Sequence, residues 1–446
     1  MKLLDIIKLG EAKGIKEIEL YSNNTKSLEL QFKSDNPTVE INDFLNISLR
    51  GLVDGKMGNV SLESIEEDKV NAALDQLIDN AHNISSSEQA IIFDGKAEYE
   101  KVVNKKSDLS QHSIKEKLEL ATKAYNYSLS RINEEMKNNP GLFLKVATLA
   151  YAEQGEKVNL INNKGVDLNN EFYCGQFVCY LIGATQSGSV VEYKYDFFYN
   201  IDEFKYEEVV NKTINAIIKK LNPGSVVTKR YPVVLDKDVI SSLLGAYSMV
   251  LSGESAMNKT TPLLDKVDKK IFGDNINIVE DPFNDRLLAK EPFDDEGYPK
   301  KRYHLVKNGV FKGFAHSLKT AKYFNTTPTG NGNRIGGVRF TNLSIEPDNN
   351  SFDKLLEGID EGVYINDING IHAGVNPVAG TFNLQSSGFM IRNGKLAEPV
   401  TLFVMSGTFE ELFNSVEMIS NDVEKIFARN FNCPSLRIKS LAISGK

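Results

Sequence analysis

The chain has 446 residues, 41% of them hydrophobic and 25% charged. That mixture excludes a wholly disordered chain, and roughly 150 residues per domain gives a prior of two to four domains. Lys and Arg total 52 against 60 Asp and Glu, a net charge of −8. Nothing global draws such a chain to phosphate backbones, so direct nucleic-acid binding is not expected.

The opening MKLLDIIKLG carries Asp5 and Lys8 inside its apolar stretch and no small-residue cleavage site. It is therefore read as a helix over 3–13, not as a signal peptide. Alternating apolar and polar residues predict strands over 16–21, 27–33 and 44–53. The last turns at Asp54-Gly55, a two-residue hairpin signal, into 56–62. Val70, Ala73, Leu74, Leu77 and Ala81 form one helical stripe. Ser113 and Glu116 make a capping box that opens a helix running to about 136. Four strand-like runs follow at 143–153, 156–162, 167–183 and 189–199, divided by Gln154-Gly155, residues 162–165 and Ser187-Gly188. A helix over 206–221 ends at Asn222-Pro223-Gly224.

A strand over 226–235 and a helix over 238–251 open the last block. Beyond them Asn308-Gly309, Asn369-Gly370 and Asn393-Gly394 are read as the turns of antiparallel meanders. The expected fold is α+β, with N-terminal α/β domains built on antiparallel sheets over 1–100 and 101–224. A β-rich C-terminal domain follows over 225–446. No window approaches 18 uncharged apolar residues, so no membrane span is expected. Three cysteines, Cys174, Cys179 and Cys433, fit a reducing cytoplasm better than a disulfide framework.

The chemistry-bearing motifs are mostly missing. None of His82, His112, His304, His316 and His372 stands in an H-E-x-x-H pattern. His112 and Glu116 are four apart, but His112 precedes its helix and reads as part of a solvated helix start. The nucleophile-elbow and Walker A patterns are absent. Asp294-Asp295-Glu296-Gly297 sets carboxylates side by side, where they cannot all converge on one cation, and is read as a solvated turn. Cys174 and Cys179 fall on opposite faces of a regular strand and read as packing residues. The loop 329–337 contains Gly330, Asn331, Gly332, Asn333 and Arg334. It is either a surface connector or a segment facing substrate or partner. Glycine allows close main-chain approach, and Arg334 is a directional donor for a carboxylate.

An ordered set of marks runs through the last block. It comprises residues 294–297, Asn308-Gly309-Val310, Thr320-Ala321 and TGNGNR at 329–334. Further on stand Gly362-Val363-Tyr364, Gly374-Val375-Asn376, Gly380-Thr381-Phe382, Gly388-Phe389 and Asn393-Gly394 before Pro399-Val400. In this order they resemble the TldD/PmbA family, also called TldD/TldE or "modulator of DNA gyrase". The resemblance implies a two-subunit cytoplasmic metalloprotease acting on unfolded or small peptides. In that family the TldD-type subunit carries H-E-x-x-x-H on a helix early in the C-terminal domain and a further Cys ligand near the C-terminus. The TldE/PmbA-type subunit lacks them. Here the corresponding helix reads VISSLLGAYSMVLSG, with Ser, Tyr, Gly and Met where His and Glu would be needed, and Cys433 stands alone. The resemblance is therefore to the TldE/PmbA type, with no catalytic residue, metal or cofactor of its own and no activity alone. It implies a TldD-type metalloprotease subunit as partner, extended peptides as substrates and a homodimer when that partner is missing. The reading from a different class is an interaction protein, such as a modulator of DNA gyrase.

Overall fold

The computed structural model describes residues 1–84, 91–428 and 430–446. Its N-terminal half comprises α1 (Leu3–Ala12), β1 (Glu17–Phe32), β2 (Thr38–Val53), β3 (Lys56–Leu62), α2 (Glu67–Asn83), α3 (Ile114–Asn138), β4 (Phe143–Asn162), β5 (Asp167–Thr185), β6 (Gly188–Phe198) and α4 (Tyr206–Lys220). The six strands form one sheet in the order β3-β2-β1-β4-β5-β6, every neighbouring pair antiparallel. Because β1 pairs with both β2 and β4, residues on either side of position 100 share this sheet.

Two strands run straight through segments that read locally as breaks. β1 does not pause at 22–26, where Asn23 and Asn24 bond to Glu156 and Asp43 of the strands beside them. Nor does β4 turn at Gln154-Gly155. The glycine makes room for the ring of Tyr173 on β5, which would lie 2.3 Å from a Cβ there. Elsewhere local chemistry prevails. Asp54 and Gly55, both at positive φ, close the β2–β3 hairpin. Ser113 Oγ accepts from Glu116 N at the start of α3, and the Glu116 carboxylate accepts from Ser113 N.

All four helices cover one face of the sheet. Ile18 and Leu20 pack with α1 and α2. Leu28, Leu30 and Phe32, further along the same face of β1, pack with α3 and α4. The odd-numbered residues of β1 therefore point to the other face.

The C-terminal half comprises β7 (Lys229–Leu235), α5 (Lys237–Tyr247), α6 (Gly253–Met257), β8 (Ile278–Glu280), β9 (Tyr303–Lys307), β10 (Val310–Phe311), α7 (Leu318–Tyr323), β11 (Asn342–Ile345), α8 (Phe352–Leu356), β12 (Glu361–Asn369), α9 (Ile371–Gly374), β13 (Val375–Asn376), β14 (Thr381–Arg392), β15 (Lys395–Thr408), α10 (Phe409–Asn414), β16 (Val416–Ile419), β17 (Asn430–Phe431) and β18 (Leu436–Ser444). One sheet has the order β10-β9-β8-β11-β17. The other runs β12-β7-β18-β15-β14-β13, with β16 on β18. A single core, including Leu243, Leu305, Leu343, Phe403 and Cys433, joins α5 to both sheets. The fold is α+β, antiparallel in its N-terminal half and β-rich in its C-terminal half.

Two of the three Asn-Gly pairs are hairpin turns, Asn308-Gly309 between β9 and β10 and Asn393-Gly394 between β14 and β15. The third departs from expectation. Gly370, at φ 79°, starts α9, so the chain makes a helical turn there before β13.

Candidate functional site

The helix that the family resemblance singles out is α5, continued by a 3-10 turn over Ser248–Leu251. Asp236 caps it, its carboxylate accepting from Asp238 N at 2.9 Å. Val239, Ile240, Leu243, Leu244 and Tyr247 form its buried stripe. The Tyr247 ring lies 4.5 Å from Phe409 and is flanked by Phe272 and Phe413. The outward stripe of Asp238, Ser242 and Met249 is exposed, with Gly245 and Ala246 half-buried between them. Gly245 sits against the Phe431 ring, which would lie 3.1 Å from a Cβ. Ser241 Oγ accepts from Cys433 N at 3.0 Å. Cys433 is fully buried, and burial pushes its thiol up to about 12. Such a thiol is a packing group. Among the described residues, no group of three or more His, Cys, Asp and Glu is placed to hold a metal ion.

The acidic run 294–297 is the main correction to the sequence reading. It is not a solvated turn, because Asp294, Asp295 and Glu296 are all buried. Each carboxylate diverges to its own donors. Asp294 Oδ1 accepts from Glu296 N and Tyr298 N, and its Oδ2 from Gly332 N at 2.7 Å. Asp295 Oδ1 accepts from Arg339 Nη2 at 2.6 Å. Glu296 Oε2 accepts from Leu318 N at 2.8 Å, at the start of α7. Burial, joined at Asp294 by the neighbouring Glu296, raises the carboxyls of Asp294 and Glu296 above their ordinary range.

The loop 329–337 folds onto this turn. Gly330, Asn331 and Gly332 are buried, Asn333 and Arg334 partly so. At Gly332 a Cβ would lie 2.1 Å from the Glu296 carboxylate, and at Gly330 2.6 Å from Pro299 O. These glycines therefore allow a close main-chain approach, and what they approach is the chain's own acidic turn. Asn331 accepts from the Tyr303 hydroxyl at 2.6 Å.

Arg334 reaches across to the N-terminal sheet. Its Nη1 donates to Glu19 at 2.7 Å, its Nε to Ser48 Oγ and its Nη2 to Ser48 O, both at 3.0 Å. Arg50 Nε shares Glu19, at 2.7 Å. Burial alone would raise the Glu19 carboxyl, but the two guanidiniums outweigh it and hold it below its ordinary value. Arg334 thus spends its donors inside the chain, not on a peptide carboxylate.

What faces outward is the tip of the loop, where Ile335 is 97% exposed. It borders a groove of about 330 Å³ whose lining includes Arg50, Glu254, Glu296 and Lys319. Glu19, Ser48 and Arg50 are the residues that sequence reading missed. The available signal was the opposite charges of Glu19 and Arg50, which the β1–β2 register sets directly across from each other on the face turned away from the helices.

Residues 228–445 match the family model for the PmbA/TldA metallopeptidase C-terminal domain. The metalloprotease PmbA homolog of Buchnera aphidicola is 26% identical over 266 residues, 59% of this chain and 58% of that protein. The chain spans about half of the Escherichia coli metalloprotease PmbA, 49% of its length at 27% identity. Among solved structures, a candidate DNA gyrase modulator of Thermotoga maritima superposes with a TM-score of 0.87 at 25% identity, over 99% of this chain and 98% of that one. TldE of Thermococcus kodakarensis shares the fold with a TM-score of 0.85 at 22% identity, over 99% and 100%. An α+β metallopeptidase-type chain is the class these features define. The chain belongs to the TldD/PmbA family.

Proposed function

We propose that this chain is the TldE/PmbA-type subunit of a cytoplasmic two-chain metalloprotease that acts on unfolded or small peptides. It contributes binding surface, and a TldD-type partner contributes the metal. The observation that carries this reading is α5. Hydrolysis of a peptide bond needs a Lewis acid or a positioned base to activate water. The outward stripe of α5 offers Asp238, Ser242, Gly245, Ala246 and Met249, and Cys433 beneath it is buried with its proton held. The exposed loop tip at Ile335 is the part of the 329–337 segment that meets the partner. Co-expression with a chain of the same family that bears H-E-x-x-x-H tests the assembly. The two co-elute as one complex, and Ile335→Asp weakens it while leaving the isolated chain folded. Separate elution of the two wild-type chains at micromolar concentration would refute the reading.

The description of the Thermotoga relative as a candidate gyrase modulator favours a second reading, an interaction protein acting on DNA gyrase. A supercoiling assay distinguishes them. Under the first reading the isolated chain leaves gyrase activity unchanged.

A further inference from the structure

The face of the six-stranded sheet turned away from the helices is covered by Arg334 at its Glu19 end and open over residues 27–31 of β1, 38–42 of β2 and the part of β4–β6 beside them. Cross-strand partners on this face are Ile182 with Val191, Tyr180 with Tyr193, and Val178 with Tyr195. Their neighbours Phe177, Cys179 and Leu181 point the other way, into the core under α3 and α4. Tyr193 is 55% exposed and Tyr195 38%. Their rings stack with centroids 6.3 Å apart and planes 20° from parallel. Tyr180 lies 6.2 Å from Tyr193. At the other end Tyr195 meets Phe197, 5.3 Å away, which Phe427 closes off. A ladder of ring faces therefore leads from solvent to the junction with the C-terminal half.

Next to the ladder the sheet surface drops. Val178 pairs with Ala150, and Gln176 with Ala152, on β4. Beyond the alanines the wall rises again on β1 and β2, where Gln31 and Glu29 stand beside Ala150 and Ala152. Glu29 is directly opposite Glu40. Like charges facing each other across a strand pair destabilise a sheet. Neither glutamate has a cationic partner among the described residues. At the α5 end, Asp238 and Asp367 bear electrostatically on the Tyr193 hydroxyl, and Asp238 and Glu424 on that of Tyr195. Asp238 and Asp367 are exposed. The cations nearby are Lys237, held by Glu424, Lys194 on the opposite face of β6, and Lys145, across from Ile182.

An alanine floor, a tyrosine wall and an acidic wall make a trough with an excess of negative charge, Lys145 standing at its Ile182 end. We propose that this trough binds an extended, positively charged polypeptide segment. Its Lys or Arg side chains lie over Tyr180, Tyr193 and Tyr195 on one side and neutralise Glu29 and Glu40 on the other. The aromatic faces attract cations, and the carboxylates lack the counter-charge that such a segment brings. The inference rests on the proposed role as a peptide-binding subunit and names the chemistry of the peptide.

Fluorescence anisotropy on the full chain alone tests it, with a labelled unstructured peptide of repeating Lys, Gly and Ser and the same peptide with Glu for Lys. The basic peptide binds, the acidic one does not, and added salt weakens binding. Tyr193→Ser with Tyr195→Ser, and separately Glu29→Gln with Glu40→Gln, each weaken it about fivefold or more. The glutamine pair removes a repulsion, so that variant is at least as stable as wild type and its binding loss is not misfolding. Equal binding of the two peptides, no binding, or binding unaffected by both variants overturns the proposal. So does sedimentation showing that the tyrosine variant dissolves a homodimer in which the trough is covered by a second copy. Failure here leaves the subunit reading standing, because no partner is present. Intact basic-peptide binding without partner-dependent cleavage sinks that reading and spares the trough.

Discussion

Arg334 shows how one side chain ties the two halves of the molecule together. It bonds to Glu19 and Ser48 on the N-terminal sheet from a loop whose backbone packs on the buried turn 294–297. Removing one member of a buried ion pair costs about 3–5 kcal/mol when the other is left alone. Arg50 still serves Glu19, so Arg334→Ala is expected to lower unfolding stability by about 2–4 kcal/mol, read from the urea midpoint. Arg334→Lys does not restore it, because an ammonium cannot reach Glu19 and both Ser48 oxygens as a planar fork does.

Glu280 sets a pH dependence. It is buried, and burial pushes its carboxyl from an ordinary 4.5 to about 7, despite bonds from Thr341 N and Asn342 N. The folded chain therefore holds this proton more tightly than the unfolded chain. The stabilisation is complete below about 4.5 and is lost as pH rises to about 7. A shift of that size corresponds to roughly 3 kcal/mol. Glu280→Gln, which keeps the uncharged form, flattens the fall in stability across that window in denaturation curves.

At the scale of elements, the parts readable from the sequence were those whose determinants are local. The Ser113–Glu116 box and the Asp54-Gly55 turn act within four residues, and the stripe from Val70 to Ala81 lies on one helix. The misread segments depend on distant partners. The polar middle of β1 is held by Asp43 and Glu156, and Gly155 is explained by a tyrosine on the next strand. The acidic turn looks solvated until donors from Gly332, Leu318 and Arg339 arrive from far along the chain. The candidate loop was legible as a special segment, but Glu19, which fixes its arginine, lies in the first strand.

The character of α5 was visible in its letters and carries its own prediction. The purified chain is expected to hold well under one zinc per molecule by elemental analysis. A stoichiometric zinc, lost on replacing Cys433 or one of the histidines, would contradict the account of this helix.

For the whole molecule, a chain with an open sheet face and a loop tip as exposed as Ile335 is expected to work as part of an assembly. Light scattering of the isolated chain at tens of micromolar is expected to give at least a dimer, and a strict monomer would count against it. In the proposed assembly this chain binds while another chain cuts. The most direct measurement is cleavage of an unstructured peptide by the chain alone, by a partner bearing H-E-x-x-x-H alone, and by both mixed. Cleavage is expected from the mixture, abolished by a chelator and by removal of the partner's histidines, with none from this chain alone. Chelator-sensitive cleavage by this chain alone, at high purity, would contradict it.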